Sequence, residues 1–445
     1  MKLKFIFPTV LIFFAVTSGR AAETNWLARP LSLADALNTA LTQNTSILKA
    51  KNDLEISHGL VIQTRAVALP HVTATGQYKA TDPGAVENNP FFNQPQENWN
   101  AGIQIVQNIY DGGRNIAAIR SAGVTKKQAV AIYQTAVADA LLAVRVAYYD
   151  VLLAAQQVVV REASVKLLEK ELEDQKHRLD AGTVPRFNVL RAEVAAANER
   201  PALIQARNAN RLAKNNLANL LGYNLPRDIW EDIPLNLTDG FDLASMEVNL
   251  PDAIQSALQK RTELEAARRT VDLQKLSVVD AKAGYQPTIS VFAGYDWFIA
   301  RFTPPIALDH AIQGWHAGAQ LSWNIFDGAA TYGKVKSAKA TLEKSRTELV
   351  DRQRQVEIGV RTAYSDLLQA RETLDSQAKV QESADEALRE AKARAEAGTS
   401  TQLDVLNAET ALTQSRTTQV QAQHDYATAR ARFERAVGND LVPVK

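Results

Sequence analysis

The sequence predicts a mainly α-helical fold with a small β part, built from one structural unit written twice. Three observations carry that expectation. Segments recur at a fixed separation of 216 or 217 residues, two runs of about 60 residues are nearly free of Gly and Pro, and four short segments alternate polar with apolar residues.

The repeat comes first, because a missed repeat misassigns the whole fold. NIYDGG at 108–113 returns as NIFDGA at 324–329, and LADALNTAL at 33–41 returns as LPDAIQSAL at 250–258. PHVTATGQY from Pro70 matches PTISVFAGY from Pro287, and AYYDVLL at 147–153 matches AYSDLLQ at 363–369. AGTVPRFNVLRAE at 181–193 matches AGTSTQLDVLNAE at 397–409. The spacing defines copies at 31–222 and 248–438, followed by a tail at 439–445. The join at 223–247 carries Pro226, Pro234 and Gly240 among polar and acidic residues and reads as an irregular connection inside one fold.

Each copy opens with an amphipathic helix that stops before Pro70 or Pro287, because the residue before proline is pushed out of the helical region. Strands follow at about 71–80 and 98–108, and again at about 288–298 and 314–325. In the first, Val72, Ala74, Gly76 and Tyr78 oppose Thr73, Thr75, Gln77 and Lys79. In the last, Trp315, Ala317, Ala319, Leu321 and Trp323 oppose His316, Gly318, Gln320, Ser322 and Asn324. Period-two alternation over this length fits a tilted strand crossing a bilayer, with Trp and Tyr as interfacial anchors; it also fits a soluble sheet packed on the helices. The loops at 80–98 and 298–313 are long and polar, as external loops of a barrel are. Four strands cannot close a barrel, and lipid does not tolerate an open edge. A membrane reading therefore requires several chains, giving twelve strands from three copies or eight from two.

After the second strand of each copy, Asp111 and Asp327 are placed to cap a helix, and Gly112-Gly113 and Gly328 free the backbone to turn. From Val124 to Ala181 there is neither Gly nor Pro, and from Lys334 to Ala397 only Gly359. Helices of roughly 68 residues, about 100 Å long, are expected. Each ends at AGT, where Gly182 or Gly398 supplies a left-handed cap, and a helix of about 36 residues returns. The hairpins span about 112–221 and 328–437.

The N-terminus reads as a secretory signal peptide, residues 1–22. Lys2 and Lys4 precede an apolar run from Phe5 to Val16, then small residues to Ala21-Ala22. Its twelve residues give about 18 Å of helix, short of a bilayer core of about 30 Å. The formal net charge of +1 gives no basic footprint for nucleic acid. The absence of cysteine excludes a lipidated N-terminal Cys, thiolate metal sites and thiol catalysis. After the signal no window reaches the length of a spanning helix; the nearest, 139–160, is broken by Arg145 and Asp150.

This layout resembles the outer-membrane factors, the TolC-like efflux and secretion channels of Gram-negative bacteria. The duplication, the [Y/F]-D-G turns at 110–112 and 326–328, and the tips RLDAGTVPRFNVLRAE and RAEAGTSTQLDVLNAE carry the resemblance. It implies a homotrimer with a shared twelve-stranded barrel in outer-membrane lipid and an α-barrel tunnel of helical hairpins reaching through the periplasm. It also implies partners: a periplasmic adaptor (membrane fusion) protein and an inner-membrane pump of RND, ABC or MFS type. An acidic residue is expected at the periplasmic gate; Asp404 keeps it, while the first copy has Asn188. A second acidic position falls on Asn407, and a gate-locking basic residue would fall on Ser400. Arg178, Leu179, Gly182 and Thr183, with Arg394, Gly398 and Thr399, resemble the surface that receives adaptor tips.

The residues alone leave Asp404 two readings. Three copies around a narrow axis would repel one another and attract cations; a single copy is a first-turn carboxylate favouring the helix dipole. Arg178 and Arg394 likewise read as docking residues or as helix-end arginines. The six histidines form no i,i+4 ligand pair, and His316 is placed on the polar face of a strand. No P-loop, G-x-S-x-G or G-x-G-x-x-G is present. The expectation is a passive exit duct without enzymatic activity, cofactor or metal. The alternative is a periplasmic coiled-coil adaptor or scaffold, which would carry a lipoyl-like β domain beside one hairpin.

Overall fold

The computed structural model describes residues 30–82, 97–223, 233–301 and 312–439. The expected signal peptide, most of the two long loops, Pro226 and the end of the tail lie outside the described residues.

The first copy runs β1 (Pro30–Leu31), α1 (Leu33–Gln43), α2 (Thr45–Ala66), β2 (His71–Ala80), β3 (Glu97–Tyr110), α3 (Arg114–Asp180) and α4 (Arg186–Leu220). The second runs β4 (Asn236–Leu237), α5 (Leu250–Lys260), α6 (Thr262–Ala283), β5 (Thr288–Arg301), β6 (Ile312–Ser322), α7 (Ala330–Glu396) and α8 (Gln402–Val437).

Two details differ from the sequence expectation. The single opening helix of each copy is two helices. Asn44 breaks the first with extended backbone at ψ 126°, its Oδ1 accepting from the amides of Ser46 at 2.8 Å and Ile47 at 3.2 Å. Its Nδ2 donates to the carbonyl of Leu220 at 2.6 Å, so a distant contact holds the break. Arg261 occupies the equivalent place, reaching the Ala436 carbonyl at 3.2 Å. Second, β6 stops at Ser322, so Trp323 leaves the strand and its indole donates to the Tyr285 carbonyl at 3.2 Å.

The long helices α3 and α7 have 67 residues each, about 100 Å at 1.5 Å per residue. On its sheet-side half α3 packs against α2 and α6, and on its far half against α4 and α8, while α7 packs against α6 and α8. The helices thus form a wall one layer thick, in the order α2–α3–α6–α7 near the sheet and α4–α3–α8–α7 far from it.

The cores sit at the waist, where small and branched residues let the helices approach. Ala36, Ala40, Val144, Leu217 and Leu221 form the first, and Ala253, Ala257, Val360, Phe433 and Val437 occupy equivalent places in the second. The two-residue strands β1 and β4 pair in parallel around this waist. The buried Tyr148 fastens them: its hydroxyl donates to the Leu31 carbonyl at 3.1 Å and accepts from the Asp239 amide at 3.2 Å. A two-residue pair has no period for sequence reading to find.

The remaining strands form one antiparallel sheet, β2–β3–β5–β6. The central β3–β5 pairing joins the two copies, and β2 and β6 are its edges.

Candidate membrane face and tunnel tips

The strand register brings the apolar sets together on one face. Val72 pairs with Ile105, Ala74 with Ile103 and Tyr78 with Trp99. Ile103 then pairs with Tyr295, and Tyr295 with Trp315. Among the described residues no helix covers this face. Every residue of β2 is exposed, and Val72, Trp315 and Leu321 are 64%, 79% and 65% exposed in the single chain. Fully burying such a side chain is worth roughly 1.5–3 kcal/mol, so a water-soluble sheet would not leave this row bare. Among the described residues the sheet is not packed on the helices. Aromatic pairs sit on the same face, with ring centroids 4.5 Å apart for Tyr78–Trp99 and 4.6 Å for Tyr295–Trp297.

The opposite face is polar, with Thr73, Gln77, Lys79, Asn100 and Gln104 on the first two strands. Here His316 Nδ1 lies 3.0 Å from Asp296 Oδ2. Gly102 and Gly294 make the room: a Cβ on Gly102 would lie 2.2 Å from the Asp296 carboxylate, and one on Gly294 2.5 Å from the His316 ring.

At the strand-to-helix turns the aspartates cap from two residues further back than an N-cap position. The helices begin after Gly113 (φ 93°) and Ala329 (φ 70°), which are the N-cap residues. Asp111 Oδ2 accepts from the Asn115 amide at 2.8 Å. Asp327 Oδ2 accepts from the Thr331 amide at 2.8 Å and from its hydroxyl at 2.5 Å. Hydrogen bonds from the Thr331 side chain and then its backbone hold the Asp327 carboxyl below the usual range. Gly112 and Gly328 have φ of 70° and 67°.

The tips are built alike. Gly182 and Gly398 are left-handed at 72° and 71°, closing α3 and α7. The amide of Thr183 donates to the Arg178 carbonyl at 2.9 Å and that of Gly182 to Leu179 at 2.9 Å; Thr399 donates to Arg394 at 2.9 Å. The threonine hydroxyls donate to the same carbonyls, Thr183 to Arg178 at 2.9 Å and Thr399 to Arg394 at 3.1 Å. The guanidiniums turn back along their own helices, Arg178 to Asp174 at 2.9 Å and Arg394 to Glu390.

Ser400 and Asp404 are brought together. Asp404 Oδ2 accepts from the Ser400 hydroxyl at 2.8 Å, the Thr401 amide at 2.8 Å and the Thr401 hydroxyl at 2.7 Å, completing a capping box at the start of α8. Donation by the Thr401 side chain, followed by its backbone and Ser400, lowers the Asp404 pKa. In the single chain the carboxylate is already engaged by these donors. Asn407 lies exposed one turn on, and Asn188, the counterpart of Asp404, sits half-buried in the first turn of α4.

A bare greasy sheet face, a polar reverse face and two 67-residue rods in a duplicated chain narrow the family. The sequence family described as outer membrane efflux protein matches residues 36–223 and 253–439. The chain belongs to the outer membrane efflux protein family. It is 24% identical to the outer membrane efflux protein BepC of Brucella suis biovar 1 over 443 residues, covering 96% of this chain and 89% of BepC. It is 25% identical to the alkaline protease secretion protein AprF of Pseudomonas aeruginosa over 296 residues, covering 66% of this chain and 60% of AprF. The fold matches the CmeC outer membrane channel of Campylobacter jejuni with a TM-score of 0.79 at 15% identity, covering 93% of this chain and 87% of that one.

As a member of this family the chain is an outer-membrane exit duct. Among the described residues no helix is long and apolar enough to cross a membrane, and no cluster of three metal-ligating side chains occurs. Sequence reading missed the seam between the hairpins. Along α3 and α8, Arg145 meets Glu434 at 2.6 Å, Asp150 meets His424 at 2.8 Å, Ser164 meets Thr413 at 3.1 Å and Glu171 meets Gln402 at 2.8 Å. Arg145 and Asp150 were visible only as residues that interrupt an apolar run; each partner lies more than 200 positions away.

Proposed function

We propose that three copies close side by side into one duct that passes substrates from an inner-membrane transporter across the periplasm and outer membrane. One observation carries this reading. The free edges of the sheet, β2 and β6, coincide with the free edges of the helical wall, α2 with α4 on one side and α7 on the other. Repeating the chain edge to edge continues the sheet and the wall together, and open strand edges are not stable in lipid. Four strands from each of three chains give the twelve-stranded barrel that the TolC-like resemblance implies.

In this reading the apolar sheet face meets lipid and the polar face, with Asp296 and His316, lines the lumen. The tips at Gly182 and Gly398 lie at the periplasmic mouth. Arg178, Leu179 and Thr183, with Arg394 and Thr399, receive a periplasmic adaptor. Asp404, with Asn407 and the first-copy Asn188, surrounds the gate; Ser400 holds Asp404 rather than supplying a locking cation. The chain performs no chemistry, and energy comes from a pump of RND, ABC or MFS type. An N-terminal signal peptide directs export, and with no cysteine the mature chain carries no lipid anchor. Relatives named for efflux and for protease secretion support a duct serving either kind of cargo.

The test is fractionation of the expressed protein, its mass in mild detergent, and conductance in planar bilayers. A trimer of outer membranes that conducts ions is expected. A soluble periplasmic monomer would overturn the reading.

A further inference from the structure

The junction between the two copies inside the chain is a template for the junction between chains. Inside, β3 and α3 run antiparallel to β5 and α6 in one continuous register. Gln104 pairs with Gly294 in the sheet, Gln128 Nε2 donates to Thr270 Oγ1 at 2.8 Å, and the Thr135 and Thr262 hydroxyls are 2.6 Å apart. A ring of chains repeats this junction with β6–α7 of one chain against α2–β2 of the next.

The duplication carries the register across. NIYDGG and NIFDGA place β6–α7 at 216 residues beyond β3–α3, and the LADALNTAL pair places α2–β2 at 217 before α6–β5. Gln128 becomes Lys344 and Thr270 becomes Asp53. One turn along, Ile132 and Ala266, which face the same groove, become Glu348 and Lys49. Neutral positions inside the chain are thus replaced by opposite charges in matching order. All four are exposed; Lys344 and Glu348, at 76% and 59%, line the open groove that α7 shares with α3 and α6 and make only a loose 3.8 Å contact with each other.

Two further observations agree with this register. In the sheet the same shift sets Gln77 beside Gln320 and Tyr78 beside Ala319, keeping polar with polar and apolar with apolar. At the turn, a Cβ on Gly112 would meet Gln286 Cβ at 2.7 Å and the Ala283 carbonyl at 2.8 Å, whereas Gly328 faces open space. The residues that would fill that space are the equivalents Ala66 and Leu69 of the next chain, and Leu69 is 61% exposed.

We propose that Lys344 and Glu348 of one chain pair with Asp53 and Lys49 of its neighbour, fixing the register of the ring. This rests on the ring reading above. A heterologous contact of this kind gives a ring only when the rotation between copies closes on itself.

The absence of native cysteine makes the test direct. Full-length Asp53→Cys/Lys344→Cys, treated in outer membranes with a short bis-maleimide, is expected to give covalent two- and three-chain species. Gln63→Cys/Ala330→Cys, equivalent to the Asp280–Arg114 contact at 3.1 Å, should do the same. Gln63→Cys/Lys344→Cys is out of register and should stay uncrosslinked. Cross-linking of that pair, or a native trimer without cross-links at 53 and 344, overturns the register while leaving the ring intact. A monomer overturns both. In a second measurement Lys344→Asp is expected to raise the dissociated fraction in detergent about tenfold across three interfaces, and Asp53→Lys added to it to restore assembly. No restoration by the swap would count against the pairing.

Discussion

Arg145 of α3 and Glu434 of α8 meet at 2.6 Å with only 10% and 9% of their side chains exposed, joining the first copy to the second at the waist. Arg430 completes the cluster, 3.1 Å from Glu434 and also paired with Asp242 of the connection. Removing Glu434 leaves Arg145 only the longer contact to Asp242 at 3.7 Å, and breaking a buried pair on one side costs up to about 3–5 kcal/mol. Glu434→Ala is therefore expected to lower stability by up to that much in a denaturant titration. Arg145→Met/Glu434→Leu, which removes both charges and keeps volume, should recover much of the loss.

A second tie on the same seam is a buried histidine whose pKa is raised. His424 Nε2 lies 2.8 Å from Asp150 and Nδ1 2.9 Å from Asp425, with the Phe241 ring centroid 6.4 Å away. Burial works to lower its pKa, but hydrogen bonds to Asp150 and Asp425 outweigh it and hold it above 6.5. A raised pKa gives stability that is present below the unfolded value and fades as pH rises through the folded one. The melting temperature is expected to fall as pH is taken upward from 6.5, and His424→Gln should flatten that slope. An unchanged slope in the variant would remove His424 from the account.

Acid should act on the opposite partner. Burial raises the Glu263 pKa, but Arg261, hydrogen-bonded at 2.7 Å, and Arg435, also at 2.7 Å, bring it from 4.5 down to about 2. Stability from a lowered carboxylate pKa is present above the unfolded value and is lost as pH falls from 4.5 toward 2. The loss is on the order of 3 kcal/mol per chain. Glu263→Gln should start lower and vary less over that window, read by thermal unfolding.

Asp404 has two separable roles, a capping carboxylate and a gate charge. Asp404→Asn keeps an acceptor for Thr401 and removes the charge, whereas Asp404→Ala removes both. If three charges attract cations at the gate, both variants should reduce cation selectivity in bilayers. Ala should additionally loosen the first turn of α8 in hydrogen exchange. An unchanged reversal potential in both would leave Asp404 as a cap alone.

The two strand-to-helix turns should respond oppositely to small changes. Ala329 is the one non-glycine residue with positive φ among the described residues, at 70°, where Gly113 serves the first copy. A left-handed alanine costs about 1–2 kcal/mol, so Ala329→Gly is expected to stabilise the fold by up to about that amount. Gly112→Ala combines the same conformational cost with collision against Ala283 and Gln286, and should destabilise more strongly. Differential scanning calorimetry separates the two.

Much of the fold was legible because it is periodic or local. Period-two alternation marked four strands, the long Gly- and Pro-free runs marked α3 and α7, and glycine after each run marked the tips. The errors fell where a distant contact decided a local geometry. Asn44 breaks a helix because it reaches Leu220, 176 residues away. Trp323 leaves β6 because Tyr285 offers a carbonyl, and the caps at Asp111 and Asp327 act from two residues further back because Gly113 and Ala329 take the left-handed turn.

The sequence by itself determined the duplication, the elements and the family resemblance, since each is written in spacing, composition and short motifs. Only the tertiary structure decided that the sheet is bare on both faces, that a polar seam joins the hairpins, and that Asp404 is already held by Ser400 and Thr401. Those outcomes depend on which side chains meet across hundreds of residues, and hydrogen bonds and burial are set by distance in space. The same structure leaves one edge of strands and helices open on each side, and the repeated sequence supplies the partner that fits it.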